Sequence, residues 1–396
     1  MEWEWAAVSM VKVSQQFSKR TGWDTRESSF AVAIRQARES GRQLVDLTVS
    51  NPTVCGFEYA ADAILAPLCD ARALAYDPDP RGMHSAREAV AEYYRKHEAE
   101  LSPDALVLTT STSESYGYLF RLLCDAGDEV LVAQPSYPLF DFLADIEDVN
   151  LRPYPLFYDY GWWIDFAELE RRITPRTRAI VVVNPNNPTG HATRQPERQR
   201  LEEICVRHNL ALIVDEVFLD YPLSEDLTSF ACGPHPVMTF CLSGLSKIAG
   251  LPQMKVGWIA AFGPEEDRVS AMARLEVIAD TFLSMNAPAQ LALPSWLAGS
   301  VGIQKQILNR IHDNLAQAEA HGIDLLRLNG GWSAVVRLPR VGLSAESLLE
   351  TAGVIVHPGS FYGMAEQERV VVSLIVPSED FSEGMSNISQ AISKHP

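Results

Sequence analysis

"RAIVVVNPNNPTG", residues 178–190, joins an uninterrupted apolar run to a loop rich in turn residues. A strand with one wet face alternates apolar and polar residues. A run of Ala179, Ile180 and three valines does not, so both its faces are buried, as in parallel sheets covered by helices on two sides. Comparable runs stand at "ALVLTT" (105–110), "DEVLVAQPSY" (128–137), "LALIVDEVF" (210–218), "VMTFCLSGLSK" (237–247) and "VGWIAAF" (256–262), with helix-patterned segments between several of them. The pattern predicts an α/β fold: a three-layer αβα large domain on a mostly parallel, seven-stranded sheet. Beyond residue 295 a long helical stretch, "IQKQILNRIHDNLAQAEAHG", precedes shorter strands at "GWSAVVRL" and "ERVVVSLIV" and a last helix. These predict a smaller α+β domain. The expected division is 1–45 as an N-terminal arm with part of the small domain, 46–295 as the large domain, and 296–396 as the small one.

In such sheets ligands bind outside the carboxyl ends of the strands. Thr112, Asn187, Asp215 and Lys247 each fall just past an apolar run. Taken singly, each has an ordinary structural account. "TTSTSESYGYLF" (109–120) caps a helix, "NPNNPTG" turns the chain, Asp215 caps a turn, Tyr137 in "QPSYP" packs, and Lys247 lays its stem on apolar surface. Taken together they describe a single ligand. The helix start offers amide N–H groups and hydroxyls to a phosphate. Asn187 suits a ring oxygen, and a buried Asp215 needs a cation such as a protonated ring nitrogen. Tyr137 suits a flat face, and a desolvated Lys247 is a neutral amine available to an aldehyde. The ligand with these parts is pyridoxal phosphate.

The composition narrows the remaining classes. Thirty-three Lys and Arg against 51 Asp and Glu give a formal charge of −18, which argues against nucleic acid or an anionic membrane as partner. The start, "MEWEWAAVSM", lacks a basic region and does not read as a secretory signal. No apolar run approaches the ~20 residues of a membrane helix. The six scattered cysteines, with no CxxC pair, argue against a disulfide framework or a zinc site and read as reduced, mostly packed thiols. A cytoplasmic setting is expected, with no metal.

In these ordered motifs the chain resembles the class I/II aminotransferases among the fold type I pyridoxal-phosphate enzymes, from about residue 45 onward. "NPNNPTG", "DEVF" and "SGLSK", the last followed eight residues later by Lys255 and then by Gly257, carry most of the resemblance; "YDPDPRGMHSAREAVAEYY" (76–94) and "GDEVLVAQPSYP" (127–138) add to it. The resemblance implies that Lys247 binds the cofactor aldehyde and shuttles the proton, and that Asp215 pairs with the ring nitrogen. It implies that Asn187 bonds the ring oxygen, that Tyr137 stacks, and that Thr112, Ser113 and Lys255 hold the phosphate. Tyr76 matches a tyrosine that reaches the neighbouring subunit's phosphate, implying a homodimer with shared sites. The implied activity is transfer of an amino group from an amino acid or amine to a keto acid by a ping-pong mechanism. A carbon–sulfur lyase and a non-catalytic cofactor-binding module are the alternatives.

Four positions depart from the family pattern. Lys255 stands for an arginine, keeping the charge but not the bidentate fork. Gly244 stands for a hydroxyl residue three before Lys247, with Ser243 or Ser246 as replacement. Phe218 stands for a tyrosine that would donate to the ring oxygen. Val371 stands for the arginine that clamps the substrate carboxylate. Arg369 shares that strand face about 7 Å away, so either Arg369 substitutes or the donor lacks a carboxylate there. Trp162 and Trp163 read as core packing rather than as a substrate pocket.

Overall fold

The computed structural model describes residues 17–283, 285–339, 342–364 and 368–394; the segment read above for a secretory signal, and the first part of the expected arm, lie outside them. In chain order the strands are β1 (Val45–Asp46), β2 (Leu106–Thr109), β3 (Glu129–Gln134), β4 (Asn150–Tyr158), β5 (Trp162–Ile164), β6 (Thr177–Val183), β7 (Ala211–Asp215), β8 (Thr239–Gly244), β9 (Gly257–Phe262), β10 (Ser333–Arg337), β11 (Val354–Ile355), β12 (His357–Pro358) and β13 (Arg369–Ser373).

The main sheet has the order β2-β9-β8-β7-β6-β3-β4-β5. Strands β8, β7, β6, β3 and β4 pair in parallel, and β9 runs antiparallel between β2 and β8. The sheet therefore has eight strands where seven are expected. The addition is β5, which folds back antiparallel on the β4 edge. Trp162 and Ile164 point inward there, so Trp162 packs as expected, whereas Trp163 is 38% exposed and is not core. Strand β4 carries Pro153 and Pro155, which suit a strand near an edge.

Side chains along the central strands alternate between two cores. Ile180, Val182, Leu212, Val214, Trp258 and Ala260 belong to one, together with residues of helices His84–Lys96, Gln195–His208 and Ala287–Ala298. Val181, Val183, Ile213, Phe240, Leu242 and Ile259 belong to the other, with helices Thr112–Leu123, Leu139–Ile146 and Glu265–Phe282. This is the three-layer arrangement that unbroken Val/Ile runs demand.

A third core gathers Val336, Val370 and Val372 with helices Val301–Ala320, Ala345–Ala352 and Ser378–Lys394. Here β13 lies between β10 and β12, antiparallel to both. Helix Ser29–Glu39 contributes Phe30 to the same core, and β1 pairs in parallel with β11. Val371, on the opposite face of β13 from Val370 and Val372, packs instead with the first core. That face looks toward the carboxyl ends of the main sheet.

Candidate active site

Strands β2, β6, β7 and β8 run in one direction, so their carboxyl ends meet along one edge. A cavity of about 560 Å³ opens there, between that edge and residues of β10, β12 and β13. Thr112, Ser113, Tyr137, Asn187, Asp215, Lys247 and Lys255 all line it. Residues spread over some 140 positions of chain are thus brought to one place.

Asp215 ends β7 and is 8% exposed. The backbone N–H of Val217 donates to its Oδ1 (3.1 Å), and the Tyr116 hydroxyl donates to its Oδ2 (3.2 Å). Burial raises its pKa to about 6, against the lowering pull of these two donors and of Lys247. The carboxylate has no salt bridge among the described residues. A cation brought by a ligand would supply what it lacks.

Lys247 sits in the short helix Leu245–Ile248 directly after β8. Its Nζ lies 5.2 Å from the ring centroid of Trp332 and 5.7 Å from that of Phe218, two rings that pack edge-on at 5.0 Å. Burial lowers the amine's pKa, and Asp215 opposes that shift. The Tyr221 hydroxyl donates to the Lys247 carbonyl at 2.6 Å, fixing the backbone that carries the amine.

Ser111 caps helix Thr112–Leu123, accepting from the Glu114 N–H at 3.2 Å. Strand β9 passes close beneath: a Cβ on Gly257 would come 2.9 Å from the Ser111 carbonyl carbon and 3.1 Å from the Thr112 nitrogen. Lys255 reaches the same cavity from a left-handed backbone, φ 53°, a costly conformation for a residue with a side chain. Asn187 Oδ1 is buried with no hydrogen-bond partner, and its Nδ2, the group able to donate to a ligand oxygen, makes none either among the described residues. Unpaired amide, carboxylate without a salt bridge, buried amine and helix start together fit pyridoxal phosphate.

The structure also resolves the missing hydroxyl. A Cβ at Gly244 would sit 2.7 Å from the Val256 carbonyl oxygen, which already accepts the Leu245 N–H at 3.0 Å. Ser243 Oγ is turned to the Glu216 carbonyl at 3.5 Å, whereas Ser246 lines the cavity. Gly244→Ser is therefore expected to destabilise the protein by about 1–3 kcal/mol, the cost of forcing atoms into a packed site; a thermal melt checks it.

Two residues fall outside the cavity. Tyr76 is 84% exposed on this single chain. Arg369, read as a possible carboxylate clamp, shares the face of Val371 but places its guanidinium carbon 5.7 Å from the ring of Trp162, away from the cavity lining. It begins β13, opposite Arg337, and its side chain turns toward the β5 edge rather than along the strand. The clamp reading is not supported by that placement.

Tyr116, Trp332 and His357 line the cavity without having been singled out from sequence. Only Tyr116 had a signal, lying one helical turn after Thr112. Tyr116→Phe removes a donor that stabilises the Asp215 carboxylate, so the carboxyl pKa rises. The acid limb of the kcat/KM profile should move up by about one pH unit.

Residues 42–387 match the family model described as aminotransferase class I and II. The chain belongs to that family, and is a pyridoxal-phosphate-dependent aminotransferase. It is 30% identical over 277 residues to the glutamate-pyruvate aminotransferase AlaA of Escherichia coli strain K12, covering 69% of this chain and 68% of that protein. It is 26% identical over 367 residues to the arginine–pyruvate transaminase AruH of Pseudomonas aeruginosa, covering 89% and 90%. An alanine aminotransferase structure from Pyrococcus furiosus superposes with a TM-score of 0.86 at 22% identity, over 96% of this chain and 100% of that one, a likeness of fold. No helix among the described residues is long and apolar enough to cross a membrane.

Proposed function

We propose that Lys247, Asp215, Asn187, Tyr137, Thr112, Ser113 and Lys255 carry the aminotransferase chemistry, in the roles their surroundings suit. The observation behind this is the shared cavity: a buried amine and a buried carboxylate face one space, each displaced by burial toward its uncharged form. Bound pyridoxal phosphate supplies an aldehyde that captures the donor's amine and a cationic ring that accepts electrons from the donor carbon.

The protein's own groups do the rest. Lys247 Nζ, buried beside Trp332 and Phe218, takes the proton from the donor carbon and returns it nearby. Asp215 is ionised at neutral pH and holds the ring nitrogen's positive charge, with Tyr116 and the Val217 N–H orienting it. Thr112, Ser113 and the free N–H groups of their helical turn hold the phosphate, and Lys255 adds one charge without an arginine's fork. Asn187 donates to the ring oxygen alone, since Phe218 has no hydroxyl to share that task. An amino acid or amine and a keto acid use the same cavity in turn, the ping-pong order.

The wider reading has further support. Leu74 and Tyr76 are 92% and 84% exposed, an apolar pair suited to a second subunit, and we take the protein as a homodimer. All six cysteines are free, in keeping with a reducing cytoplasm. We also take the chain as divided at about residues 45 and 295, on the ground that Phe30 packs with the C-terminal helices in a core of its own, although Leu47 and Cys55 join that core and Trp296 and Leu297 stay with the main sheet.

Mixing holoenzyme with an amino donor and no keto acid tests the function. One equivalent of keto product per site should form and then stop until a keto acid is added. Continuous release of pyruvate and thiol from a sulfur-bearing amino acid would make the protein a lyase instead, and no product at all would leave a binding module.

A further inference from the structure

Val371, at the place where the resemblance expects a carboxylate-binding arginine, is 1% exposed and lines the cavity from the middle of β13. In an antiparallel ladder, residues directly opposite one another present their side chains on the same face, with Cβ atoms about 4.5–5.5 Å apart. Val371 has two such neighbours, Val335 on β10 and His357 on β12. One is apolar. The other is an imidazole that lines the same cavity, and its ring nitrogens make no hydrogen bond among the described residues. The rings of Phe361 and Tyr362, at 6.1 and 6.0 Å, flank it.

We propose that His357 is the specificity-determining residue that receives the substrate carboxylate in place of the arginine absent at position 371. This rests on the aminotransferase reading and names the group that holds the non-reacting end of both the amino acid and the keto acid. Lys247 and Lys255 also line the cavity, but each already has a task in the chemistry or at the phosphate. An imidazolium gives the carboxylate a single charge-assisted N–H, without the paired fork of a guanidinium.

Such a site depends on pH. The charged and titratable groups around His357 are Asp46 on β1, which bonds Arg38 at 3.0 Å, Tyr362 on the following turn, Arg369 at the start of β13, and Asp215 and Lys247 across the cavity. Burial holds the imidazole below its usual range, with Asp46 opposing. Near neutrality the empty site therefore has a neutral ring, and a carboxylate binds together with a proton. Affinity is full below the imidazole pKa and falls as pH rises through it, about tenfold per unit.

The dissociation constant of an unreactive carboxylate, 2-methylpropanoate, can be followed in the holoenzyme from pH 5 to 8 by the fluorescence of the cavity residue Trp332. The constant should rise with pH in the wild type. In His357→Gln it should be about tenfold or more weaker at the acid end and flat with pH. Adding Val371→Arg to that variant should restore binding without restoring the slope. The ratio of KM for an amino acid to KM for its decarboxylated amine should rise by the same factor in His357→Gln. An unchanged pH slope in that variant, or pH-independent binding in the wild type, would overturn the assignment. The wild-type slope needs no variant to fold. Carboxylate binding with the predicted slope, but without amino transfer, would count against the aminotransferase reading and in favour of His357.

Discussion

Replacing Lys247 with alanine is expected to remove turnover, with the loss concentrated in the donor half-reaction. A positioned general base contributes roughly 10²–10⁴-fold, and in the proposed roles the same amine holds the aldehyde. The groups packed around Nζ offer no second base. Lys255 lines the cavity, but its left-handed backbone follows the turn Pro252–Met254 on the phosphate side. The rings of Phe218 and Trp332 that surround Nζ carry no base. Rapid mixing of the variant with a donor, read by the cofactor's visible absorbance, should show donor binding and no conversion. Conversion within tenfold of the wild-type rate would remove Lys247 from the chemistry.

Asp215→Asn is expected to lower the rate of proton removal on the order of 10²–10³-fold, the scale on which preorganised charge stabilisation acts. The fold should survive. Asparagine keeps the shape and the Val217 contact, and the carboxylate it replaces is not stabilising in the empty site. Its pKa is raised from 3.8 to about 6, so any penalty from ionising it is absent below the lower value and complete above the upper one. At pH 7 the apo-variant should therefore melt no lower than the wild type while the holoenzyme loses activity. Melting curves of both forms beside single-turnover rates test the two halves together. A variant with near wild-type turnover would make Asp215 a turn cap.

Much of this site is legible from sequence because of where strands end. An unbroken apolar run fixes a buried parallel strand, and the first polar residues after it must emerge at one edge. That reasoning places Asn187, Asp215, Lys247 and the Thr112–Ser113 turn without knowledge of strand order. Strand β4 escapes the same reasoning because Pro153 and Pro155 interrupt its pattern near the sheet's edge. Arg369 shows a different limit. Spacing along a strand gives its face and distance from Val371, but the direction of a long side chain depends on packing, here on Trp162. His357 is 14 residues from Val371 in sequence, and only the register of β12 on β13 sets them side by side. Gly244 looks like a lost hydroxyl until the Val256 carbonyl is seen to occupy the space a side chain would need.

The central claim is that the buried amine of Lys247 is the group joined to the cofactor. Borohydride reduction of the holoenzyme followed by peptide mass mapping tests it directly. The account predicts one phosphopyridoxyl group per chain, on the peptide that carries Lys247 and on that residue alone. A label on Lys255, or a protein that binds the cofactor and yields no reduced adduct, would contradict it.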